Sequence, residues 1–465
     1  MAEKSFDVVV LGGGPGGYTA AIRAAQLGFS TGIIEADKLG GVCLNWGCIP
    51  TKALLKNAEI LHQFKRAGEW GISYDNLKFD FTKIIQRSRG ISDKISKGVE
   101  FLMKKNKIEY MAGYGTLQGN GTIEIKPKES ASYRISAKHI IVATGARARS
   151  LPGVAIDRKR IITSTEAMTL SGQPKSMIVV GAGAIGIEFA YFYNALGTKV
   201  SVVEMMPGIL PVEDSELTKD LARSLKKQGI EILTETKVES VNAGSDNVTV
   251  VVQSLEGKKE LKGDVALMAI GVQGNVEGFG LDRIGVVVER NHVKVDKDYR
   301  TNVPGVYAIG DVIGPPWLAH VASAEGVHCI EAIKGLNPKA IDYSAIPGCT
   351  YCQPQIASVG LTEEKAKAAG YEVKIGKFPF RPLGKAIAIG ETDGMVKLVF
   401  EAKYGELLGA HIMGSEATEM IAELALAKKL EATAESIFHT VHAHPTLSEA
   451  VMEAAAAAYG EAINV

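Results

Sequence analysis

The chain of 465 residues is short of several things, and each shortage narrows what it does. No apolar run reaches the roughly 20 residues of a membrane-spanning helix, so no membrane partner is expected. Neither charge is in excess: 52 Lys and Arg stand against 52 Asp and Glu. A nucleic-acid partner, which calls for a basic surplus, is therefore not expected either. Cysteine is scarce and odd in number, five in all, which makes no disulfide framework. Phe6-Asp7-Val8-Val9-Val10-Leu11 reads as a strand so near the start that a signal or transit peptide is not expected. The location to expect is cytoplasmic, although a mature organelle protein without its leader would read the same. In a reducing cytosol a cysteine pair is more often catalytic than structural. A composition of 46% hydrophobic and 22% charged residues is that of a globular protein, long enough for two to four domains.

Two of the five cysteines lie together in Gly40-Gly41-Val42-Cys43-Leu44-Asn45-Trp46-Gly47-Cys48-Ile49-Pro50-Thr51-Lys52. On a straight helix, residues five apart have Cα atoms roughly 8 to 9 Å apart, and a disulfide wants less than about 7 Å. A bond between Cys43 and Cys48 therefore needs a distorted turn, which Gly47 and Pro50 fit. The plainer reading is a pair of buried, inert thiols. What weighs against it is the place of the pair, eight residues after Glu35.

Glu35 closes a dinucleotide-binding pattern. A strand to Leu11 leads into Gly12, Gly14 and Gly17 in G-x-G-x-x-G spacing, then a helix ending near Gly28 and a strand Ser30 to Ile34. The glycines give a tight turn and a close backbone approach to pyrophosphate, and the acid accepts from a ribose hydroxyl. A glycine triplet alone has many chance matches; the strand–glycine–helix–strand–acid order is far more specific. The same unit then recurs. Met177 to Val180 leads into Gly181, Gly183 and Gly186, and strand Lys199 to Val203 delivers Glu204. Gly12 to Glu35 and Gly181 to Glu204 each span 23 positions. Two dinucleotide sites in one chain point to transfer between two bound cofactors. Glu204 is followed by Met205 and Met206, with no arginine to meet a 2′-phosphate, so the second ligand reads as NAD. Glu188, early on the second helix, is at its plainest a favourable charge near a helix N-terminus.

Several further stretches are less specific. A helical run with basic residues is expected from the cysteines to about Lys107, then a hairpin region turning at Gly119-Asn120-Gly121. Ile140 to Ala146 is a buried strand ending in a glycine turn, and Val306 to Asp311 is strand, turn and acid before a helix containing His320, Ala322 and Ala324. Cys329 reads as core. Cys349-Thr350-Tyr351-Cys352 has no second pair, so a zinc site is not expected, and no role is assigned to it. From about Ile346 strands alternate, followed by two alanine-rich helices, about Ala417 to Leu430 and Ser448 to Tyr459. His444 precedes Pro445, and Glu449 lies five residues on. A histidine suits proton transfer near neutrality, and a carboxylate can orient it; a surface histidine in a loop is the alternative. His442 is close by.

These strings together resemble the pyridine nucleotide–disulfide oxidoreductases of the glutathione reductase type, from about Phe6 to the C-terminus. The resemblance implies an α/β fold: two Rossmann-like dinucleotide-binding domains, for FAD and NAD, and a C-terminal α+β dimerisation domain. Its expected boundaries are 1–146 for the FAD domain, 147–275 for NAD, 276–345 for a central domain completing the FAD site, and 346–465 for the interface. It implies a redox disulfide of Cys43, the interchange thiol, with Cys48, nearer the flavin. His444 is implied as the catalytic base with Glu449 as its partner. For FAD it implies Gly12, Gly14, Gly17, Glu35, Lys52, Gly115, Thr144, Gly145, Asp311 and Ala319. For NAD it implies Gly181, Gly183, Gly186, Glu188, Glu204, Val238 and Gly271, with Glu188 pairing with Lys52.

Within that family the match is best to enzymes that oxidise dihydrolipoamide to lipoamide and reduce NAD. The implied partners are a second copy sharing its active sites and a lipoyl carrier domain on a separate chain. The implied setting is a 2-oxo acid dehydrogenase or glycine cleavage complex. Rivals are a glutathione or mercuric reductase, and a flavin-binding redox sensor without turnover. Glu204 argues against the NADP preference of the first two. Glu461-Ala462-Ile463-Asn464-Val465 lacks the vicinal cysteines of the mercuric type. The presence of both cysteines and His444 argues against the sensor.

Overall fold

The computed structural model describes residues 4–464. Met1–Glu3 and Val465, at the two ends of the expected domains, lie outside the described residues. The chain forms two compact units, each assembled from separated stretches. The first holds the chain up to Leu54, Asp80–Arg149 and Gly271–Ile341; the second holds Leu55–Phe79, Ser150–Ile270 and the chain from Asp342 on.

In the first unit, strand Lys4–Leu11 lies between Thr31–Glu35 and Tyr133–Val142, parallel to both, with Val8 opposite Thr31 and Leu11 opposite Val142. Glu109–Ala112 extends one edge, and the antiparallel strands Thr122–Lys126 and Tyr114–Gly119 extend the other. Val306–Ala308 also pairs with Tyr133–Val142. Val8, Val9 and Val10 are fully buried, as befits a parallel strand covered on both faces. Helix Pro15–Gln26 buries Gly16, Gly17, Ala20, Ala21 and Ala24. Such small side chains let helix Ala319–Lys334 approach closely: a Cβ on Gly326 would lie 2.7 Å from the Gly16 carbonyl oxygen. Arg23 and Glu331 clasp the two helices at 2.5 Å.

The helical run after the cysteines is not continuous. Helix Cys48–Lys65 gives way to a 3-10 turn, Ala67–Trp70, which closes at Gly71 with φ 70°. Helix Phe81–Lys105 then starts afresh under a cap in which Asp80 accepts from the Lys83 N–H. Left-handed Gly71 stops one helix and a capping aspartate starts the next.

The second unit carries a five-stranded parallel sheet in the order Glu231–Leu233, Lys199–Val203, Ser176–Val180, Val265–Met268, Ile161–Ile162. Lys237–Ala243, Val248–Ser254 and Gly257–Gly263 form an antiparallel meander. The C-terminal stretch builds an antiparallel sheet in the order Gly348–Thr350, Gln355–Gly360, Leu407–Gly414, Met395–Glu401, Val373–Pro379. Helix Glu449–Ala457 packs so closely on this sheet that a Cβ on Gly376 would meet the Ala454 carbonyl oxygen at 1.8 Å. Phe378, Phe380 and Phe400 fill the core beneath, each worth about 1.5–3 kcal/mol of burial. Buried Lys397 lies 2.9 Å from Asp214, 3.1 Å from Glu216 and 3.0 Å from Glu363, holding the start of helix Ser215–Lys227 to that sheet. Among the described residues no helix is long and apolar enough to cross a membrane.

Candidate active site

The two glycine turns are built alike. Gly12 has φ 111° and a Cβ on it would lie 2.2 Å from the Ala143 carbonyl oxygen; Gly181 has φ 101° and the corresponding contact, to Ala269, is 2.4 Å. A Cβ on Gly17 would meet the Gly12 oxygen at 1.9 Å, and one on Gly186 the Gly181 oxygen at 2.1 Å. Gly14 and Gly183 are the N-caps of helices Pro15–Gln26 and Ala184–Ala195, without a side-chain cap or an acidic residue in either first turn. Their first N–H groups are thus available to phosphate oxygens. Glu35 accepts from the Gly13 N–H at 2.7 Å and the Asp37 N–H at 2.8 Å. Glu204 does the same with Ala182 and Met206, both at 2.8 Å. Each carboxylate is thereby fixed at the end of its strand with lone pairs left for ribose hydroxyls. Both turns fit a dinucleotide.

The cysteine stretch sits directly on the first turn. The Gly40 N–H donates to the Gly13 carbonyl at 2.8 Å. Helix Gly41–Trp46 carries Cys43, and Gly47, with φ −152° and ψ −117°, breaks it before helix Cys48–Lys65 begins. That break is the distortion the spacing requires. Thr51 ties its hydroxyl to the Gly47 carbonyl at 2.7 Å. Asn45 donates to Leu39 and Gly41 carbonyls at 3.1 and 3.0 Å, and Arg89 stacks on Trp46 while donating to the Asn45 carbonyl at 2.7 Å. Cys43 is half-buried and Cys48 exposed. The hydrogen bond with Cys48, and burial after it, push the Cys43 thiol up, against the pull of Lys52. Lys52 follows in the first turns of the same helix.

Other expected FAD residues also lie in the first unit. Thr144 donates its hydroxyl to the Asn275 carbonyl at 2.8 Å, and the Asn275 amide returns a bond to the Thr144 carbonyl at 2.9 Å. Gly145, with φ 70°, accepts from the Asn275 N–H at 2.9 Å. Gly115 faces Leu11, whose side chain leaves no room for a Cβ. Asp311 lies in the 3-10 turn Gly310–Ile313, where burial alone pushes its carboxyl up to about 6. A carboxylate so placed fits a ligand hydroxyl that can donate to it. Ala319 opens helix Ala319–Lys334. Gly271, expected at NAD, belongs to this unit by chain contacts, and its carbonyl accepts from the Arg149 N–H at 3.0 Å.

In the second unit, buried Glu188 accepts from the Tyr351 N–H at 3.0 Å. A backbone partner was not foreseeable from a charge near a helix start. Tyr351 itself, pushed up first by burial and then by Cys349, belongs to the cysteine-flanked stretch. Cys352 is buried, its thiol 3.2 Å from the Pro354 carbonyl, and Cys329 is buried in its helix. Val238 lies opposite Val252 beside a register shift. His444 projects outward with 78% of its side chain exposed, and its Nδ1 is 2.9 Å from Glu449. The other Glu449 oxygen accepts from the Thr446 N–H at 2.8 Å. Burial opposes ionisation of Glu449, but Thr446 and His444 outweigh it and hold the carboxyl below its usual range.

Comparison with known proteins covers almost the whole chain. Residues 6–326 match the family described as "Pyridine nucleotide-disulphide oxidoreductase", and residues 346–455 match its dimerisation domain. A protein of Rhizobium etli named dihydrolipoyl dehydrogenase is 49% identical over the full length of both chains. One of Zymomonas mobilis with the same name is 50% identical, again over both full lengths. Among solved structures, LpdA from Mycobacterium tuberculosis superposes with a TM-score of 0.90 at 28% identity, covering 97% of this chain and 99% of that one.

Proposed function

The chain belongs to the pyridine nucleotide-disulphide oxidoreductases, and from that premise we propose that it is a dihydrolipoyl dehydrogenase, as its full-length relatives are named. It is an oxidoreductase that uses FAD and NAD, and it works as a homodimer. Bound FAD would supply a two-electron acceptor and bound NAD a hydride acceptor. FAD is held by Gly12, Gly14, Gly17, Glu35, Lys52, Gly115, Thr144, Gly145, Asp311 and Ala319. NAD is held by Gly181, Gly183, Gly186, Glu188, Glu204 and Val238. The four segments 1–146, 147–275, 276–345 and 346–465 serve as FAD, NAD, central and interface domains.

The protein's own residues handle sulfur and proton. With Nδ1 of His444 engaged by Glu449, Nε2 is the atom left to take the proton of a substrate thiol. The resulting thiolate attacks Cys43 of the oxidised pair, forming a mixed disulfide as Cys48 leaves as a thiolate. The second substrate thiol then displaces Cys43, closing the substrate disulfide and leaving Cys43 and Cys48 as a dithiol. His444 serves the Cys43–Cys48 pair of the partner subunit, so that each site is shared. The dithiol arrives on a lipoyl carrier of a separate chain, in the cytoplasm, within a 2-oxo acid dehydrogenase or glycine cleavage complex.

The observation that carries the reading is the cysteine pair, split by Gly47 and seated on the first dinucleotide turn. The test is steady-state turnover with dihydrolipoamide, glutathione disulfide and Hg(II), each with NAD or NADP as the chemistry requires. Turnover confined to dihydrolipoamide with NAD is expected; preference for either other substrate overturns it.

A further inference from the structure

Between helix Ala434–Phe438 and helix Glu449–Ala457 runs the loop that carries His444. Val441, Ala443, His444 and Pro445 face outward. His442 is the exception, with only 5% of its side chain exposed. Its Nε2 lies 2.7 Å from an oxygen of Glu423, and its Nδ1 lies 2.8 Å from the Thr440 carbonyl. Both contacts are to oxygens, so the ring is gripped at both of its nitrogens. Glu423 stands on a different element, helix Ala417–Lys429, whose Met420, Ile421 and Leu424 are buried. The loop's other side-chain bonds are local: Thr440 to the Ser436 carbonyl at 2.7 Å, Thr446 to the Ala443 carbonyl at 2.7 Å, and His444 and the Thr446 N–H to Glu449.

Glu449 thus fixes the ring of His444 from the downstream side, but it belongs to the helix that the loop enters. Upstream, Thr440 ties the loop to the Ser436 carbonyl of the helix it leaves, and His442, two residues before His444, adds a hold on a third helix anchored in the core. We propose that Glu423 and His442 form a second histidine–carboxylate pair, and that they are positioning residues for proton transfer at His444. The proposal rests on the reading of His444 as the base. Its physical content is orientation: a reacting atom misplaced by about 1 Å can cost 100-fold in rate.

The test uses the full-length, cofactor-loaded protein and four variants: His442→Gln, Glu423→Gln, the two combined, and His444→Gln. Each single change in the pair should lower kcat for dihydrolipoamide oxidation by about 10- to 100-fold, with KM moving less than about twofold. NADH oxidation by ferricyanide, which needs no thiol base, should stay at the wild-type rate. Because the two residues act as one unit, the double variant should be no slower than the slower single one within about twofold. Unchanged kcat in both single variants overturns the proposal. So does a ferricyanide rate that falls in step with dithiol turnover, which marks a general structural role. A double variant whose losses multiply also overturns it, since the residues then act separately. If His444→Gln itself retains turnover, the base assignment falls and takes this proposal with it. If His444→Gln is inactive while the pair can be changed freely, only the present proposal fails.

Discussion

Gly41 lies against Gly14: a Cβ on Gly41 would come within 2.6 Å of the Gly14 Cα. The first residue of the cysteine-bearing helix and the N-cap of the dinucleotide-binding helix are thus in backbone contact. Gly41 also has φ 56°. Gly41→Ala should push the cysteine helix off the glycine turn, lowering both flavin content and dithiol turnover. Gly28→Ala is the matched control, because Gly28 has φ 85° with nothing within 4 Å of an added Cβ. It should cost only the roughly 1–2 kcal/mol of a left-handed alanine and keep its flavin. Absorbance at the flavin band of the purified variants separates the two outcomes.

Cys43→Ser should give a flavin-loaded protein with dithiol turnover near zero and with NADH-to-ferricyanide transfer retained. Serine cannot form the mixed disulfide, whereas the second route needs no sulfur. Dihydrolipoamide oxidation at the wild-type rate would remove Cys43 from the mechanism.

Glu204→Ala combined with Met205→Arg should erode the preference for NAD over NADP. The carboxylate is fixed by Ala182 and Met206 N–H groups, and Met205 beside it is 65% exposed, leaving room for a guanidinium. Removing one acceptor and adding a phosphate partner are each worth about 1–3 kcal/mol. The ratio of kcat/KM values for the two nucleotides reads the change.

Two carboxyl sites should pull stability in opposite directions with pH. Lys367 and Lys397 hold Glu363 down to about 2, the Lys367 bond being the larger cause. Stability from this site is complete above the ordinary carboxylate range and is lost as pH falls toward 2. Asp311 is pushed up to about 6 from 3.8 by burial. It therefore costs nothing below its unfolded value, destabilises increasingly as pH rises from 3.8 to about 6, and levels off above that at about 3 kcal/mol. In flavin-free protein Asp311→Asn should raise stability more at pH 8 than at pH 5, measured by urea unfolding. The same variant should hold flavin more weakly. A gain independent of pH would mean that Asp311 does not titrate in this range.

Inactive Cys43→Ser and inactive His444→Gln chains, refolded together, should regain up to about a quarter of wild-type activity per chain. Random pairing makes half the dimers mixed, and each mixed dimer has one intact shared site. Mixed dimers that form but stay inactive would show that His444 does not act across the subunits.

What was legible in the sequence was whatever local spacing dictates. Gly12 to Glu35 and Gly181 to Glu204 could be read because a tight turn, a helix and a strand leave little freedom in length. The break at Gly47 could be read because two sulfurs five residues apart cannot meet on a straight helix. The contacts that hold the sites together were not legible. Asn275 and Thr144 exchange hydrogen bonds across 131 positions, and Glu188 finds its partner at Tyr351. Such pairs are set by how sheets stack, and neither residue advertises its partner. The helical run after Lys52 was misjudged in extent because charge and apolar spacing persist on both sides of Gly71 while the backbone there turns left-handed.

The stapling of Thr144 by Asn275 and the pairing of Val306–Ala308 with Tyr133–Val142 also set a timetable for synthesis. The unit that contains the cysteines draws its last stretch from Gly271–Ile341. At about 5–20 residues per second on a ribosome, that stretch follows the first glycine turn by tens of seconds. Until it emerges, strand Tyr133–Val142 has an unpaired edge at Ile140, Ile141 and Val142, the residues that later meet Val306, Tyr307 and Ala308. The nascent chain is therefore most exposed to wrong pairing while the intervening stretch, Ser150–Ile270, is already free to fold.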